Sequence, residues 1–173
     1  MTTECALDFR PLQRDHWPAF QALRLKSIAD SPLATYPTYD EEEGRSPEEI
    51  QERITESATQ VVFGAFDGDT LIGISGLRWD ALVQVAHKAV LWGVFVHPDR
   101  RQRGLARELL HALFTYARAR GIEQIRLSVN VENPAAARLY RSLGFASYGR
   151  EPRAMRVGGR YYDEDLMLLR LDE

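Results

Sequence analysis

The most constraining stretch of the sequence runs from Ala89 to Arg120, where an apolar strand passes through a glycine-containing turn into an amphipathic helix. The run Ala89 to Val96 is rich in β-branched and aromatic residues, which is typical of a central strand. Gly93 in its middle predicts a bulge or a close backbone approach. From Leu105 onward, apolar residues recur at helical spacing. The unit indicates an α/β or α+β protein.

The turn between this strand and helix has the composition of an anion site. A helix start exposes unpaired N–H groups and the positive end of the helix dipole, and Gly104 lets an anion approach them closely. The small side chain of Ala106 avoids a clash on the same side. Four arginines stand within eight residues, although the whole chain has 22 basic and 25 acidic residues and a net charge of −3: Arg100, Arg101, Arg103 and Arg107.

This local excess of positive charge favours a polyanion such as a pyrophosphate. The alternative is an ordinary solvated helix start that happens to carry glycine and arginine. The sequence has no Gly-x-Gly-x-x-Gly, so a dinucleotide-binding fold is poorly supported, and no Gly-Lys-Ser/Thr, which excludes a Walker P-loop.

The remaining elements follow from periodicity, caps and turn residues. We predict a short strand at Leu7 and Phe9, a helix capped by Asp15, a long loop from Ser31 to Pro47, a helix starting at Ser46, a hairpin of Gln60–Phe66 with Leu71–Leu77, a strand at Ile125–Val129, a helix from Asn133 to Leu143 and a last strand at Tyr161–Leu171. No linker or repeat interrupts them. The sequence therefore predicts one domain over residues 1–173.

Composition narrows the class of protein. The single cysteine, Cys5, excludes an intramolecular disulfide framework and fits a reducing compartment. No apolar run approaches the length of a membrane span, and residues 1–5 show no secretory signal. An acidic chain lacks the global positive field that nucleic acid needs. We therefore expect a cytoplasmic protein that binds neither membrane nor nucleic acid.

A second motif follows the turn and makes the interpretation specific. Asn133 opens a helix that carries Tyr140 and closes at Leu143-Gly144-Phe145. In this order and spacing, the stretch from Leu91 to Phe145 resembles the GNAT superfamily of N-acetyltransferases. The resemblance implies a single GNAT-type domain, with a central mixed, mostly antiparallel sheet flanked by helices. It also implies that the two strands before these motifs splay apart around acetyl-CoA.

The same resemblance implies a set of residues that bind acetyl-CoA, and no metal. The strand residues would offer backbone groups to pantetheine, the turn residues would offer N–H groups to the pyrophosphate, and Asn133 would reach the pantetheine amides. The implied set is Val94, Phe95, Val96, Arg101, Gln102, Arg103, Gly104, Leu105, Ala106 and Asn133. Asn133 is also explained as a plain helix cap.

Tyr140 is the catalytic candidate, because the resemblance places it near the thioester sulfur, where the leaving thiolate needs a proton or a hydrogen bond. A core aromatic is the alternative. A free tyrosine, with a pKa of about 10, is a weaker acid than a thiol at about 8.5, so full proton transfer is uphill by roughly 2 kcal/mol. Stabilisation of the thiolate by a hydrogen bond is therefore equally open. A backbone N–H of Val94 or Phe95 is the implied oxyanion donor.

The general base stays open at this point. Some relatives have a glutamate on the strand twelve residues before the tyrosine, and this chain has Ser128 there. A water relay without a single base is one alternative. The other candidates lie elsewhere in the chain: Glu42, Glu43, His87, His97, Asp163 and Asp165.

The acceptor is predicted from charge, because the resemblance implies that the loop between the first two helices borders the acceptor site. Between Asp40 and Glu56, eight acidic residues stand against two arginines. A negative rim would attract a cationic amine, such as a polyamine, an aminoglycoside-like compound, a peptide N-terminus or a lysine. The alternative is a solvated helix start. Five aromatic residues would line an acceptor pocket or lie elsewhere: Trp17, Tyr36, Tyr39, Trp79 and Tyr161.

The sequence therefore predicts an acetyl-CoA-dependent N-acetyltransferase, in which a primary amine attacks the thioester directly. Two alternatives remain: a catalytically silent acetyl-CoA-binding regulatory module, and a GNAT enzyme that uses another acyl-CoA or an alcohol acceptor. A homodimer is a further expectation from the resemblance.

Overall fold

The computed structural model describes residues 7–172 and contains one seven-stranded sheet in the order β1-β2-β3-β4-β5-β7-β6. The strands are β1 Leu7–Pro11, β2 Gln60–Asp67, β3 Thr70–Trp79, β4 Lys88–Val96, β5 Gln124–Asn130, β6 Ala146–Val157 and β7 Arg160–Arg170. The helices are α1 Trp17–Asp30, α2 Tyr39–Glu43, α3 Pro47–Ile54, α4 Leu105–Ala119 and α5 Pro134–Ser142. Cys5 lies outside the described residues.

Only β4 and β5 run parallel, and they pair over just three residues each. Their ladder begins at Lys88 and Gln124 and ends at Val90 and Arg126. Beyond that point the facing edges of the two strands have no strand partner among the described residues. The predicted mixed, mostly antiparallel sheet with two splayed central strands is confirmed.

Helices cover both faces of the sheet. Successive side chains of β2 point to opposite faces and so enter two different cores. Val61 and Phe63 join a core built with α4 and α5, whereas Val62 joins a second core with α1 and α3. The apolar face of α4 is fully buried in the first core, as its helical spacing predicts. The splay between β4 and β5 opens between these two layers.

Local signals fix several element ends as predicted. Ser46 caps α3 and accepts a hydrogen bond from the N–H of Glu49, whose carboxylate accepts one from the Ser46 N–H. Asn133 caps α5. Gly121, just past α4, has a φ of +77°, a conformation that ends helices at little cost for glycine.

Three predicted elements are wrong in detail. The segment from Ser31 to Pro47 is not a continuous loop, since it contains α2, which Thr38 begins with a capping box. Asp15 lies in a 3-10 turn rather than at the cap of α1. The sequence prediction lacks β6, whose alternation is broken by irregular pairing between Glu151 and Met155. The assignment of residues 1–173 to one domain stays a prediction.

Candidate active site

The turn before α4 forms the floor of a cavity. Gly104 has a φ of +75°, and no atom lies within 4 Å of the position a Cβ would take there. Gln102 also has a positive φ, of 63°. A cavity of about 290 Å³ lies over this turn and is bordered by Val96, Leu105 and Ala106. A helix start such as that of α4 has unpaired N–H groups, which are the kind of donors that bind anions.

The arginines of the turn are less available than their number indicates. Arg100 pairs with Asp67 at 2.8 Å, and Arg101 pairs with Asp30 at 2.6 Å. Arg107 donates to the Ser142 hydroxyl at 2.6 Å and so ties α4 to α5. Three of the four arginines of the turn are thus engaged within the protein.

A second cavity, of about 490 Å³, occupies the splay between β4 and β5. A bulge in β4 shapes it, because Phe95 pairs with Ile74 and Trp92 pairs with Gly76, so that β4 has one more residue than β3 between these pairs. Gly93, at this bulge, has a φ of +67°. The bulge predicted from Gly93 is confirmed.

The three predicted strand residues of β4 take different positions at this cavity. Val94 lines the cavity in the splay, and Val96 borders the cavity over the turn before α4. The N–H of His97 donates to the carbonyl of Ile72 in β3. Because N–H groups alternate between the two edges of a strand, those of Val94 and Val96 face the splay and that of Phe95 faces β3.

Tyr140 lines the splay cavity from α5. Its ring is buried and packs edge-on against Phe145 with 5.7 Å between ring centroids. Burial raises the pKa of the Tyr140 hydroxyl to about 12. Within residues 7–172 the hydroxyl has no hydrogen-bond partner, so it is free to donate into the cavity.

Asn133 lines the same cavity as Tyr140. Its Oδ1 accepts a hydrogen bond from the Ala136 N–H at 3.2 Å, which is the helix-cap geometry. The cap uses only the oxygen, so the two N–H donors of the side chain remain for another partner.

The proposed base candidates lie away from the cavity. Glu43 and His87 are exposed, and His97 caps a 3-10 turn by accepting from the Asp99 N–H. Asp163 accepts from the Arg153 N–H at 2.9 Å, and Asp165 pairs with Arg150.

A different carboxylate, Glu164 on β7, lines the cavity. It is 4% exposed and accepts a hydrogen bond from the Tyr36 hydroxyl at 2.7 Å. The Tyr36 hydroxyl also lies 3.1 Å from the Ser128 hydroxyl. Sequence analysis missed Glu164. Alternation along β7 places its side chain on the opposite face from those of its acidic neighbours. Glu164 pairs with Asn130, which lies two residues from Ser128 on the same face of β5.

The acidic segment does not form the predicted negative rim of this cavity. Glu42 points inward, is fully buried, and holds three arginines instead: Arg24, Arg45 and Arg53. Glu41 and Glu49 act in the capping boxes of α2 and α3. Of the five aromatic candidates, Tyr36 and no other lines the cavity among the described residues.

Positive charge dominates the cavity wall. Four arginines line it, namely Arg24, Arg45, Arg53 and Arg78, and Glu164 is the single carboxylate among the described lining residues. Arg53 donates to Glu42 through both terminal nitrogens, whereas the Nε of Arg24 lies 4.0 Å from a Glu42 oxygen and has no hydrogen bond.

Arg24 is a deeply buried cation of this cavity wall. It is 6% exposed, and its Nη1 lies 3.7 Å from the position of a Cβ on Gly93, at the β4 bulge. Burial, together with the positive charges of Arg53 and Arg45, lowers the pKa of Arg24 to about 10 against the attraction of Glu42. At neutral pH Arg24 is charged and undercompensated.

Comparison with known proteins fits this architecture. The sequence profile of the acetyltransferase (GNAT) family matches residues 14–145, so the chain belongs to this family. The chain is 38% identical over 80 residues to the L-amino acid N-acyltransferase MnaT of Escherichia coli (strain K12). This aligned stretch covers 46% of each chain. It is 37% identical over 97 residues to the N-alpha-acetyltransferase RimI of Mycobacterium tuberculosis, which covers 56% of this chain and 58% of RimI. The chain thus spans about half the length of these relatives.

A solved structure shares the whole fold. The Salmonella typhimurium acetyltransferase yncA, determined with its cofactor acetyl-CoA, superposes with a TM-score of 0.82 and 22% identity, over 97% of this chain and 95% of that one.

Two further observations concern residues 7–172. None of the helices there is long and apolar enough to cross a bilayer. That region also brings together no group of three or more metal-ligating His, Cys, Asp or Glu side chains.

Proposed function

We propose that this protein transfers an acetyl group from acetyl-CoA to the amino group of a small acceptor that carries a carboxylate, such as an amino acid. The observation that carries the proposal is the cavity in the splay, whose wall holds four arginines and which reaches Tyr140. Acetyl-CoA supplies the acetyl group as a thioester. The remaining steps depend on residues of this chain.

Two neighbouring cavities give acetyl-CoA its place. The N–H groups at Gly104 and Leu105 would hold the pyrophosphate, with Arg101, Gln102, Arg103 and Ala106 completing the turn. The edge of β4 that faces the splay would bind pantetheine through Val94 and Val96, with Phe95 between them. Asn133 would donate its side-chain N–H groups to the pantetheine amides. The N–H of Val94 is the better oxyanion donor, because that of Phe95 faces β3.

Tyr140 acts as a hydrogen-bond donor to the thiolate sulfur rather than as a full acid. Its pKa of about 12 lies well above the reference of about 8.5 for a thiol, so complete proton transfer is uphill by roughly 5 kcal/mol. A hydrogen bond to the charged sulfur stabilises it without that cost.

The charge of the cavity selects the acceptor. A carboxylate binds favourably to arginines that one buried glutamate compensates only in part, and a polyamine is repelled by them. The name of the relative MnaT, an L-amino acid N-acyltransferase, supports this choice. We therefore propose an acceptor that carries a carboxylate, in place of the cationic amine predicted from the acidic segment.

A thiol-release assay with matched acceptors tests the proposal. Each L-amino acid is compared with its carboxamide and with the amine that lacks the carboxylate, and spermidine serves as the cationic acceptor. We expect turnover with amino acids and at least tenfold lower kcat/KM for the acceptors without a carboxylate. Preference for spermidine would refute the acceptor class. Acetyl-CoA binding without turnover on any amine would indicate the silent module instead, and parallel assays with longer acyl-CoAs and an alcohol acceptor test the other alternative.

A further inference from the structure

Glu164 occupies an unusual position in the cavity in the splay. It is the one carboxylate on the wall of described residues, it is almost fully buried, and its cavity otherwise presents arginines. A protonated amine that enters this cavity finds no other negative side chain to bind. The proposed function needs this amine neutral before it attacks, and none of the base candidates from the sequence reaches the cavity.

The hydroxyl of Tyr36 connects Glu164 with the interior of the cavity. Tyr36 lies between α1 and α2, and its ring is largely exposed while its hydroxyl reaches the sheet. The hydroxyl donates to Glu164 Oε2 at 2.7 Å and lies 3.1 Å from the Ser128 hydroxyl. Three segments far apart in sequence thus meet on the wall that also carries Tyr140.

We propose that Glu164 takes up the proton of the acceptor's ammonium group through the hydroxyl of Tyr36; this inference rests on the proposed acetyl transfer. The ammonium N–H bond breaks and its proton passes to the Tyr36 oxygen, while the Tyr36 proton passes to Glu164 Oε2. The amine becomes neutral and keeps its electron pair for attack, Glu164 becomes a carboxylic acid, and Tyr36 ends as a neutral phenol. Ser128 donates a hydrogen bond to the Tyr36 oxygen and so orients Tyr36.

The surroundings of the pair suit this transfer. Burial raises the pKa of Tyr36, and the hydrogen bond to Glu164 raises it further against the effect of Ser128, so Tyr36 stays a phenol and serves only to relay. The groups next to Glu164 are Tyr36, Asn130 and Ser128 from β5 and Glu151 on β6, and the cavity arginines line the same cavity.

The test compares pH profiles of kcat/KM for an L-amino acid in the wild type, Glu164→Gln and Tyr36→Phe. General-base assistance typically contributes about 10²- to 10⁴-fold, so both variants should lose that much at pH 7. Their kcat/KM should then rise about tenfold per pH unit towards the pKa of the amine, because only the neutral amine reacts without the relay. The wild type should stay flat over this range. The double variant should lose no more than either single variant.

The matched control is Asp165→Asn, which removes the neighbouring carboxylate on β7. Asp165 pairs with Arg150 away from the cavity, so its profile should equal that of the wild type. Acetyl-CoA affinity, measured by calorimetry, should be the same in all variants, which separates this role from a folding defect. If Glu164→Gln does not fold, Tyr36→Phe alone carries the test, since it keeps the carboxylate.

Each outcome decides between distinct conclusions. If kcat/KM of the variants depends on pH in the same way as that of the wild type, whatever its absolute value, Glu164 and Tyr36 only support the structure. That result overturns the inference. A wild type with full turnover and an equally active Tyr36→Phe overturns it as well and leaves the proposed function standing. A wild type that acetylates no amine overturns both.

Discussion

Replacing Arg24 by methionine should make the protein more stable and less selective. Arg24 is almost fully buried, and its pKa falls from 12.5 to about 10. At about 1.4 kcal/mol per pKa unit, the charged side chain costs the folded state on the order of 3 kcal/mol. Methionine has a similar length without the charge, and Glu42 keeps Arg45 and Arg53 as partners. We therefore expect stabilisation of about 1–3 kcal/mol, as replacement of buried charges often gives.

The same substitution should weaken recognition of the carboxylate. A hydrogen bond to a charged group contributes about 1.5–3 kcal/mol, which corresponds to a loss of roughly 10- to 100-fold in kcat/KM for an amino acid. The matched amine without a carboxylate should change by less than about threefold, since it never made that contact.

Denaturant unfolding and the thiol-release assay measure these two effects on the same samples. Lys26→Met is the matched control, because Lys26 is an exposed cation on the same helix and its loss changes the net charge equally. It should alter neither quantity. Equal losses of kcat/KM on both acceptors would refute the reasoning, because Arg24 would then position β4 rather than bind the acceptor. A destabilised Arg24→Met would refute the assignment of an uncompensated charge.

Three further predictions concern the backbone and Tyr140. Gly104→Ala and Gly121→Ala both impose a positive φ on alanine and should each cost about 1–2 kcal/mol in unfolding, but only Gly104→Ala should weaken acetyl-CoA binding, about tenfold by calorimetry. Gly76→Ala drives a Cβ into the Trp92 indole and should destabilise by about 1–3 kcal/mol, with a shift in tryptophan emission. Tyr140 should ionise near pH 12 in ultraviolet titration. Because the unfolded chain loses this proton near pH 10, stability should fall from pH 10 to about 12, and Tyr140→Phe should remove that part of the fall.

Local patterns in the sequence predict most of the fold and one half of the site. A few adjacent residues determine the turn around Gly104 and the cap at Asn133. Local spacing therefore places both at helix starts. Their relation to each other, through the splay of β4 and β5, follows from family resemblance. The strand β6 escaped prediction because its alternation is broken near Arg153, which has a φ of +54°.

The acceptor half of the site depends on contacts between distant segments, which charge counting misreads. Glu42 belongs to an acidic run, yet the fold buries it beneath three arginines. The arginines line the cavity and Glu42 does not, so the acidic run does not make the cavity negative. Tyr36 and Glu164 lie 128 residues apart. The pairing of β5 with β7 places Glu164 near Ser128, and the segment before α2 brings the Tyr36 hydroxyl to both. The cytoplasmic location and a homodimer stay predictions.

The most direct measurement is acetyl transfer itself, with Tyr140→Phe beside the wild type. Purified protein is incubated with acetyl-CoA and an L-amino acid, thiol release is followed, and mass spectrometry identifies the product. We expect an N-acetylated amino acid from the wild type, a much lower kcat from Tyr140→Phe, and equal acetyl-CoA affinity for both. Absence of acetylated product from any amine, or a Tyr140→Phe variant as active as the wild type, would contradict the account.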